Sequence, residues 1–317
     1  MRKMRSYDIL GNVALVRFPK EFKKSDKLRF GKRLLNDNNS IKSVFEKKGK
    51  VRGRLRKQEL SYVVGDKTNE VLYKENDCVF RFNLDSTYFS PRLSNERKEI
   101  ANQIKKDENV LVMFAGVGPF SLVIAKNSKC KKVVSVEINR EASKYALMNV
   151  KRNNLTSKVE VVQGDVKKFV GKLGSLRSRF IGSTRAPTSL LANKFVKVKT
   201  LAQTLSRGSQ GKDVKVKLNQ SRVSIGGLSD LPTTYDVIVM PRPQLKETFL
   251  KEAFVLSKKG TRIFYYDFVE KDKINEIVDK IKKGAWLAKK KIKILKTKSA
   301  GEIAPYKIRV RVDFVVV

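Results

Sequence analysis

Two glycines and two carboxylates follow three apolar segments, in an order that suits the binding of a nucleoside. The apolar run 109–114 leads directly into the sequence AGVGPF at 115–120. Glycine permits a tight turn and lets the backbone approach a ligand closely. Glu137 ends the second apolar run, where its carboxylate can accept hydrogen bonds from both hydroxyls of a ribose. Asp165 ends the third run, where an acid can meet the edge of an adenine.

A dinucleotide site is the competing interpretation of the same pattern. The full motif G-x-G-x-x-G is incomplete here, because Ser121 stands where the third glycine would be. Pro119 and Phe120 after the turn also suit a nucleoside better than a pyrophosphate. The pattern therefore favours the nucleoside site.

The elements that carry these residues predict an α/β fold. Strands are expected at 109–114, 132–138, 159–165, 235–240 and 261–268, and helices at 95–106, 141–154, 246–260 and 273–286. Strands that alternate with helices predict a mostly parallel, Rossmann-like sheet with helices on both faces. Two final strands, at 291–296 and 307–317, predict an antiparallel edge.

The N-terminal part of the chain is basic and rich in predicted strands. It predicts a strand pair around Gly11, a helix and then an extended segment over 20–45, and a hairpin over 70–84 that turns at 75–77. We expect a smaller α+β RNA-binding domain at 1–95, followed by the nucleoside-binding domain at 96–317.

The stretch 171–234 fits neither pattern. It holds 12 lysines and arginines and two acids, with many serines, threonines and glycines. Such a composition predicts an insertion that is partly disordered or folds on RNA. A surface insertion without function explains it equally well. Its place between a helix and the fourth strand predicts an effect on RNA binding or none, and not on chemistry.

The net charge of +39, from 70 basic and 31 acidic residues, is the strongest bulk signal. An AT-rich genome accounts for part of it, and a partner with a phosphate backbone for the rest. The chain has no histidine, and Cys78 and Cys130 lie far apart, so zinc sites and Ser-His-Asp catalysis are not expected. No apolar run reaches the roughly 20 residues of a membrane span. We expect a cytoplasmic monomer without a metal.

Several segments resemble the archaeal and eukaryotic tRNA (guanine-N1)-methyltransferase family. They are YDILGNVALVRFP, VRGRLRKQEL, YFSPRLSNER, MFAGVGPF and APYKIRVRVDF. The resemblance implies a class I methyltransferase fold, S-adenosylmethionine as methyl donor, and tRNA as substrate at the guanine just 3′ of the anticodon, position 37. The extra N-terminal domain of some family members is expected to be absent.

The resemblance also implies site residues. Glu96 matches the carboxylate that removes the guanine N1 proton, Arg56 the arginine that holds guanine O6, and Pro243 the proline after the fourth strand. Arg92 and Arg97 match residues that line the substrate site, and Arg242 is a further candidate for contact with O6 or phosphate. The expected donor-binding residues are Tyr88, Phe114, Ala115, Gly116, Gly118, Pro119, Phe120, Glu137, Ile138, Asp165 and Val166.

Two positions depart from the family pattern. Val112 stands where the family has an aspartate, and Pro241 stands where it has an asparagine that helps to hold guanine or donor. A catalytically inactive RNA-binding protein is therefore one alternative. A small-molecule methyltransferase is another, but it does not account for the charge.

The sister enzyme of wyosine synthesis, which transfers an aminocarboxypropyl group from the same donor, is the nearest alternative. Arg92 and the sequence Gly118-Pro119-Phe120 favour methyl transfer over that reaction. A bifunctional methyltransferase that also acts on a wyosine precursor stays open.

Overall fold

The computed structural model describes residues 7–52, 57–181, 231–241 and 247–317, without side chains at 50–58 and 175–181. Arg56, Arg242 and Pro243 lie outside the described residues, as does most of the predicted insertion.

The first four strands form a small sheet of their own. Strands β1 (Tyr7–Leu10), β2 (Val13–Val16), β3 (Ser43–Arg52) and β4 (Lys57–Gly65) lie in that order, with β2 and β3 parallel. Helix α1 (Lys24–Asn36) connects β2 to β3 and packs Leu34 against Val16 and Val44. The predicted strand pair around Gly11 and the helix that follows it are confirmed.

The larger sheet has seven strands in the order β12-β13-β11-β10-β7-β8-β9. Strand β13 pairs antiparallel with β11 and with β12, and the other pairs are parallel. Its elements are α2 (Ser94–Gln103), β7 (Asn109–Met113), α3 (Pro119–Asn127), β8 (Lys132–Glu137), α4 (Arg140–Arg152), β9 (Val159–Gln163), α5 (Val166–Ile181), β10 (Tyr235–Met240), α6 (Leu250–Val255), β11 (Ser257–Glu270), α7 (Ile274–Leu287), β12 (Ile292–Ala304) and β13 (Lys307–Val316). The predicted class I sheet with an antiparallel edge is confirmed.

Helices cover both faces of this sheet, and strand β7 shows how. Val110 and Val112 face the core under α2, α3 and α4, whereas Leu111 and Met113 face the core under α5, α6 and α7. Because side chains alternate along a strand, a continuous apolar run is buried on both faces. Each such side chain contributes about 1.5–3 kcal/mol on burial. None of the described helices is long and apolar enough to cross a membrane.

One predicted boundary is wrong. The expected helix at 246–260 is only Leu250–Val255 in the described residues, because Ser257 already pairs with Tyr235 of the sheet, and this pairing overrides local helical propensity. Helix α5 continues to Ile181 and buries Leu173 against the sheet, and the start of the insertion at about 171 stays a prediction.

The hairpin of β5 (Glu70–Glu75) and β6 (Cys78–Asn83) turns at Asn76 and Asp77, as predicted. It belongs to the predicted N-terminal domain, yet it docks on helix α4 of the larger sheet. Asn153 accepts a bond from the Val79 amide and donates to its carbonyl, both at 2.8 Å. Asn149 accepts from the Arg81 amide at 2.7 Å. Side-chain amides one helical turn apart thus satisfy the outer edge of β6. The boundary at 95 stays a prediction.

A buried ion pair joins the same hairpin to helix α2. The Arg97 side chain is 1% exposed and that of Glu75 3%, and two bonds of 2.5 and 2.6 Å join them. Arg97 also donates to the Ser90 carbonyl at 3.1 Å and lies over the rings of Phe89 and Phe120. While both partners are present, their attraction offsets most of the free energy needed to bury the two charges. A buried charge without its partner lowers the stability of the fold strongly.

We therefore expect Glu75→Gln to destabilise the fold by about 3–5 kcal/mol, because it leaves the Arg97 guanidinium without a counter-charge. Chemical denaturation of the purified protein measures this. Glu302→Gln is the matched control, since the Lys271–Glu302 pair is exposed to solvent and should contribute little to stability. Equal losses in the two variants would show that the buried pair does not hold the hairpin.

Candidate active site

The glycine loop follows β7 in a conformation that requires glycine. Gly116 and Gly118 have φ values of +60° and +89°, in the left-handed region. A Cβ atom on Gly118 would come within 2.7 Å of Leu122 Cδ1, in the first turn of α3. The Ala115 amide donates to the Val136 carbonyl at 2.9 Å and fixes the loop beside strand β8. Pro119 then begins helix α3 at a position that needs no amide hydrogen.

Glu137 at the end of β8 binds the same loop. Its Oε2 accepts from the Gly116 amide and its Oε1 from the Asn139 amide, each at 2.7 Å. Asn139 caps helix α4 by accepting from the Glu141 amide, and it donates to the Ser86 carbonyl at 2.8 Å. The carboxylate therefore lies at the carboxyl end of the sheet with both oxygens oriented by backbone amides.

The third strand brings Asp165 to this edge. The Gly164 amide donates to the Glu137 carbonyl at 2.8 Å, so the ends of β8 and β9 stay adjacent. Asp165 accepts from the Lys167 amide at 2.8 Å and begins helix α5, where Val166 is buried. Phe114 contacts the Phe249 ring edge-on at 5.0 Å between centroids. The predicted donor-binding residues on β7, β8 and β9 are thus brought together.

Other predicted donor residues have mixed positions. Tyr88 lies against the loop, its carbonyl 3.7 Å from where a Cβ of Gly116 would be. The Ile138 carbonyl accepts from Gln163 at 3.3 Å. Phe120 is buried and packs against the ring of Tyr266 at 6.0 Å, so it supports the loop from inside the core.

Glu96, the predicted proton acceptor, is 7% exposed on helix α2. Its Oε2 accepts from the Tyr266 hydroxyl at 2.9 Å and from Arg311 Nη1 at 2.7 Å. Its Oε1 lies 2.8 Å from Lys298 Nζ. Burial is the main cause that raises the pKa of Tyr266 well above its usual value, and the negative charge of Glu96 is the second. This hydroxyl therefore stays protonated and acts as a hydrogen-bond donor.

These groups belong to a larger charged cluster. Arg311 also bonds Glu99 at 2.6 Å and Asp313 at 2.8 and 2.9 Å, and Lys298 also bonds Glu99 at 2.6 Å. Burial acts to raise the pKa of Glu99, but bonds from Arg311 and Lys298 outweigh it and lower that pKa to about 2. With Lys296 on Glu99 at 3.3 Å, three carboxylates face three cations. We call these six residues and Tyr266 the Glu96 cluster.

The predicted substrate arginines differ in exposure. Arg92 has a side chain 66% exposed that reaches Asp8 of β1 at 3.1 Å, and Asp8 also binds Lys47. Arg97 forms its ion pair with Glu75 inside the core, so its described contacts hold helix α2 against the hairpin. A substrate contact by Arg92 or Arg97 stays a prediction.

Five residues of the site were not predicted from the sequence: Asn139, Asn149, Tyr266, Lys298 and Arg311. Asn139 stands directly before a helix with Glu141 in its first turn, which is a capping signal. Arg311 interrupts an apolar alternation in a strand, and a charge there indicates a buried partner. No local signal marks Asn149, which donates to the Val117 carbonyl of the glycine loop at 3.1 Å.

The sheet order, the glycine loop and the carboxylate that follows it define a class I methyltransferase. The TRM5/TYW2 methyltransferase domain matches residues 71–198. A tRNA (guanine(37)-N(1))/4-demethylwyosine(37)-methyltransferase of Nanoarchaeum equitans is 31% identical over 310 residues, 97% of this chain and 98% of that protein. The chain belongs to the TRM5/TYW2 methyltransferase family.

Two further comparisons agree. A tRNA (guanine(37)-N(1))-methyltransferase of Pyrococcus abyssi is 35% identical over 164 residues, which cover 52% of this chain and 48% of that protein. The crystal structure of Trm5b from Pyrococcus abyssi has a TM-score of 0.71 at 24% identity, covering 99% of this chain and 75% of the other, and shows the same fold.

S-adenosylmethionine is the methyl donor of this family, and the residues present fit it. The glycine loop leaves room where a side chain would stand on Gly116, and Glu137 lies at the adjacent strand end. When bound, the donor supplies a methyl group on a sulfonium. Glu137 would bind its ribose, and Asp165 its adenine.

We expect Glu137→Gln to weaken binding of S-adenosylhomocysteine at least about tenfold, because an amide oxygen replaces a charged acceptor of hydroxyl hydrogen bonds. Isothermal titration calorimetry measures the change. Glu141→Gln is the control, since this side chain, in the first turn of the following helix α4, is half exposed and pairs with Lys144. An unchanged affinity in Glu137→Gln would place the ribose elsewhere.

Proposed function

We propose that the protein transfers the methyl group of S-adenosylmethionine to N1 of guanine 37 in tRNA. Membership of the family and the names of its relatives from Nanoarchaeum equitans and Pyrococcus abyssi support the substrate. The net charge of +39 supports a polyanionic partner. The observation that carries the proposal is the buried carboxylate of Glu96. It accepts a hydrogen bond from Tyr266, whose ring packs on Phe120 directly after the glycine loop.

The reaction needs such a carboxylate. Guanine N1 carries a proton at neutral pH and is not a nucleophile until a base removes it. Glu96 takes this proton, the nitrogen lone pair forms the bond to the methyl carbon, and the electrons of the carbon–sulfur bond remain on sulfur. Because Glu96 is held by Tyr266, whose ring packs on Phe120 of α3, the acceptor and the donor loop share one rigid support.

Arginines complete the proposed base site. Removal of the N1 proton moves charge to guanine O6, where a fixed guanidinium stabilises it. The family pattern gives this role to Arg56, and Pro243 matches the family's proline after the fourth strand. Arg242 is our further candidate for a contact to O6 or phosphate. The half-buried Pro241 closes β10 directly before these residues.

Lysines support tRNA binding beyond the reacting base. Strand β12 is an outer strand of the large sheet, and its lysines 293 and 296 are exposed, the second of them as a member of the Glu96 cluster. Exposed cations bind a phosphate backbone through release of counterions, which makes binding fall steeply with salt. The 182–230 segment joins α5 to β10 at the amino end of the parallel strands, so we expect it to contact tRNA away from the chemistry.

Methylation of 4-demethylwyosine at the same position is a second candidate. The relative from Nanoarchaeum equitans, which aligns with nearly the whole chain, has both substrates in its name. Both bases occupy position 37, so one tRNA-binding surface can serve both reactions.

The test is methyl transfer from labelled donor to three tRNAs that carry guanine, adenine or 4-demethylwyosine at position 37. We expect label on the guanine tRNA, recovered as 1-methylguanosine, and none on the adenine tRNA, which lacks the N1 proton and O6. Label on the 4-demethylwyosine tRNA would establish the second activity. Donor binding without label on guanine would contradict the proposal.

A further inference from the structure

The two oxygens of the Glu96 carboxylate have different partners. Oε2 accepts from Tyr266 at 2.9 Å and from Arg311 at 2.7 Å, and both donors are almost fully buried. Among the residues that the structure describes, Oε1 has one partner, Lys298 at 2.8 Å, whose side chain is 27% exposed. Because a carboxylate oxygen has two lone pairs, Oε2 is saturated and Oε1 keeps capacity for another bond.

Arg311 cannot turn away from Oε2 without breaking its hydrogen bonds to other carboxylates. Its side chain is 0% exposed, and its nitrogens bond three carboxylates: Asp313 through Nε and Nη2, Glu96 through Nη1, and Glu99 through Nη2. The guanidinium also lies over the Phe264 ring at 5.7 Å. These bonds use four of the five N–H groups of the guanidinium, and a planar group held in this way fixes the orientation of the carboxylate that it binds.

Lys298 is held less tightly. Its Nζ bridges Glu96 at 2.8 Å and Glu99 at 2.6 Å, from a strand at the edge of the sheet. If Lys298 leaves Oε1, Glu99 still pairs with it, so no unpaired charge results. A flexible, partly exposed ammonium can therefore yield this place to another hydrogen-bond donor.

We propose that Arg311 and Tyr266 are positioning residues that hold Oε2, and that Oε1 is the proton acceptor, with Lys298 in the place that the substrate N–H takes. This inference rests on the proposed function. On substrate binding Lys298 moves to Glu99, and the N1–H donates to Oε1. The proton then passes to Oε1 as N1 forms its bond to the methyl carbon and sulfur keeps the electrons of the broken bond.

Charged or titratable groups from four elements face this carboxylate. They are Glu99 on α2, Tyr266 on β11, Lys298 on β12, and Arg311 with Asp313 on β13. Removal of Arg311 takes away a cation and leaves Glu99 and Asp313 beside Glu96. The ionised carboxylate then becomes less favourable, so the acidic limb of the rate profile should move to higher pH.

The experiment is single-turnover methyl transfer to tRNA carrying guanine 37, at saturating donor and tRNA, as a function of pH. We expect Arg311→Gln to lower the rate at neutral pH about 100-fold and to shift the acidic limb to higher pH. Arg311→Lys restores the position of that limb because it keeps the charge, but not the full rate. Tyr266→Phe, which removes one hydroxyl and keeps the packing, lowers the rate about tenfold. Lys298→Gln lowers it less than Arg311→Gln does.

A control variant separates positioning from general damage. Arg262→Gln breaks a partly buried ion pair with Glu108, beside the far end of helix α2. It should keep the wild-type rate and pH profile. If Arg311→Gln does not fold, Tyr266→Phe carries the test alone.

The outcomes distinguish this inference from the proposed function. Suppose that the wild-type protein methylates guanine 37, that Arg311→Gln leaves the acidic limb of the pH profile unmoved, and that Tyr266→Phe keeps the wild-type rate. This result would overturn the positioning role and leave the proposed function intact. A loss in Lys298→Gln as large as in Arg311→Gln would overturn the assignment of Oε1. Absence of wild-type transfer to guanine 37 would overturn the function and this inference together.

Discussion

A buried charge needs a partner, and this constraint decides where helix α2 lies. The helix carries Glu96 and Arg97 side by side, and both are buried. Arg97 finds its counter-charge in Glu75 of the β5–β6 hairpin, and Glu96 finds its own in Arg311 of the large sheet. If Glu75 were lost, Arg97 would remain in the core as a lone ion at a cost of several kcal/mol, and loss of Arg311 would leave Glu96 with the partly exposed Lys298 as its counter-charge. The helix is thereby fixed between the hairpin and the sheet.

The same arrangement connects the glycine loop, where the donor is expected to bind, with the region around Glu96. Phe120 is the second residue of helix α3, directly after the glycine loop, and its ring contacts both Arg97 and Tyr266. Asn149 adds a second connection, since it bonds the Val117 carbonyl of the loop and the Arg81 amide of the hairpin. A methyl transfer requires the acceptor nitrogen and the methyl carbon in line, so a rigid link between the two binding regions is a functional requirement. This link consists of buried side chains, those of Phe120, Tyr266 and Asn149 among them.

The sequence predicts well what depends on neighbours in the chain. The glycine loop, Glu137 and the alternation of strands and helices are local signals, and the structure has them where they were expected. The end of α6 was not predictable, because Ser257 joins the sheet through a pairing with Tyr235. The partner of Glu96 was not predictable either, since Arg311 lies 215 residues further along the chain. A resemblance identifies Glu96, but only the fold shows which groups hold it.

The most direct test of the role of Glu96 is the rate of Glu96→Gln as a function of pH. Gln keeps the shape of the side chain but cannot accept the N1 proton. At alkaline pH the solvent removes that proton, so the variant should recover about tenfold per pH unit and approach the wild-type rate. A deficit that stays constant from neutral to alkaline pH would contradict the account, and would show that Glu96 serves the fold and not the transfer of the proton.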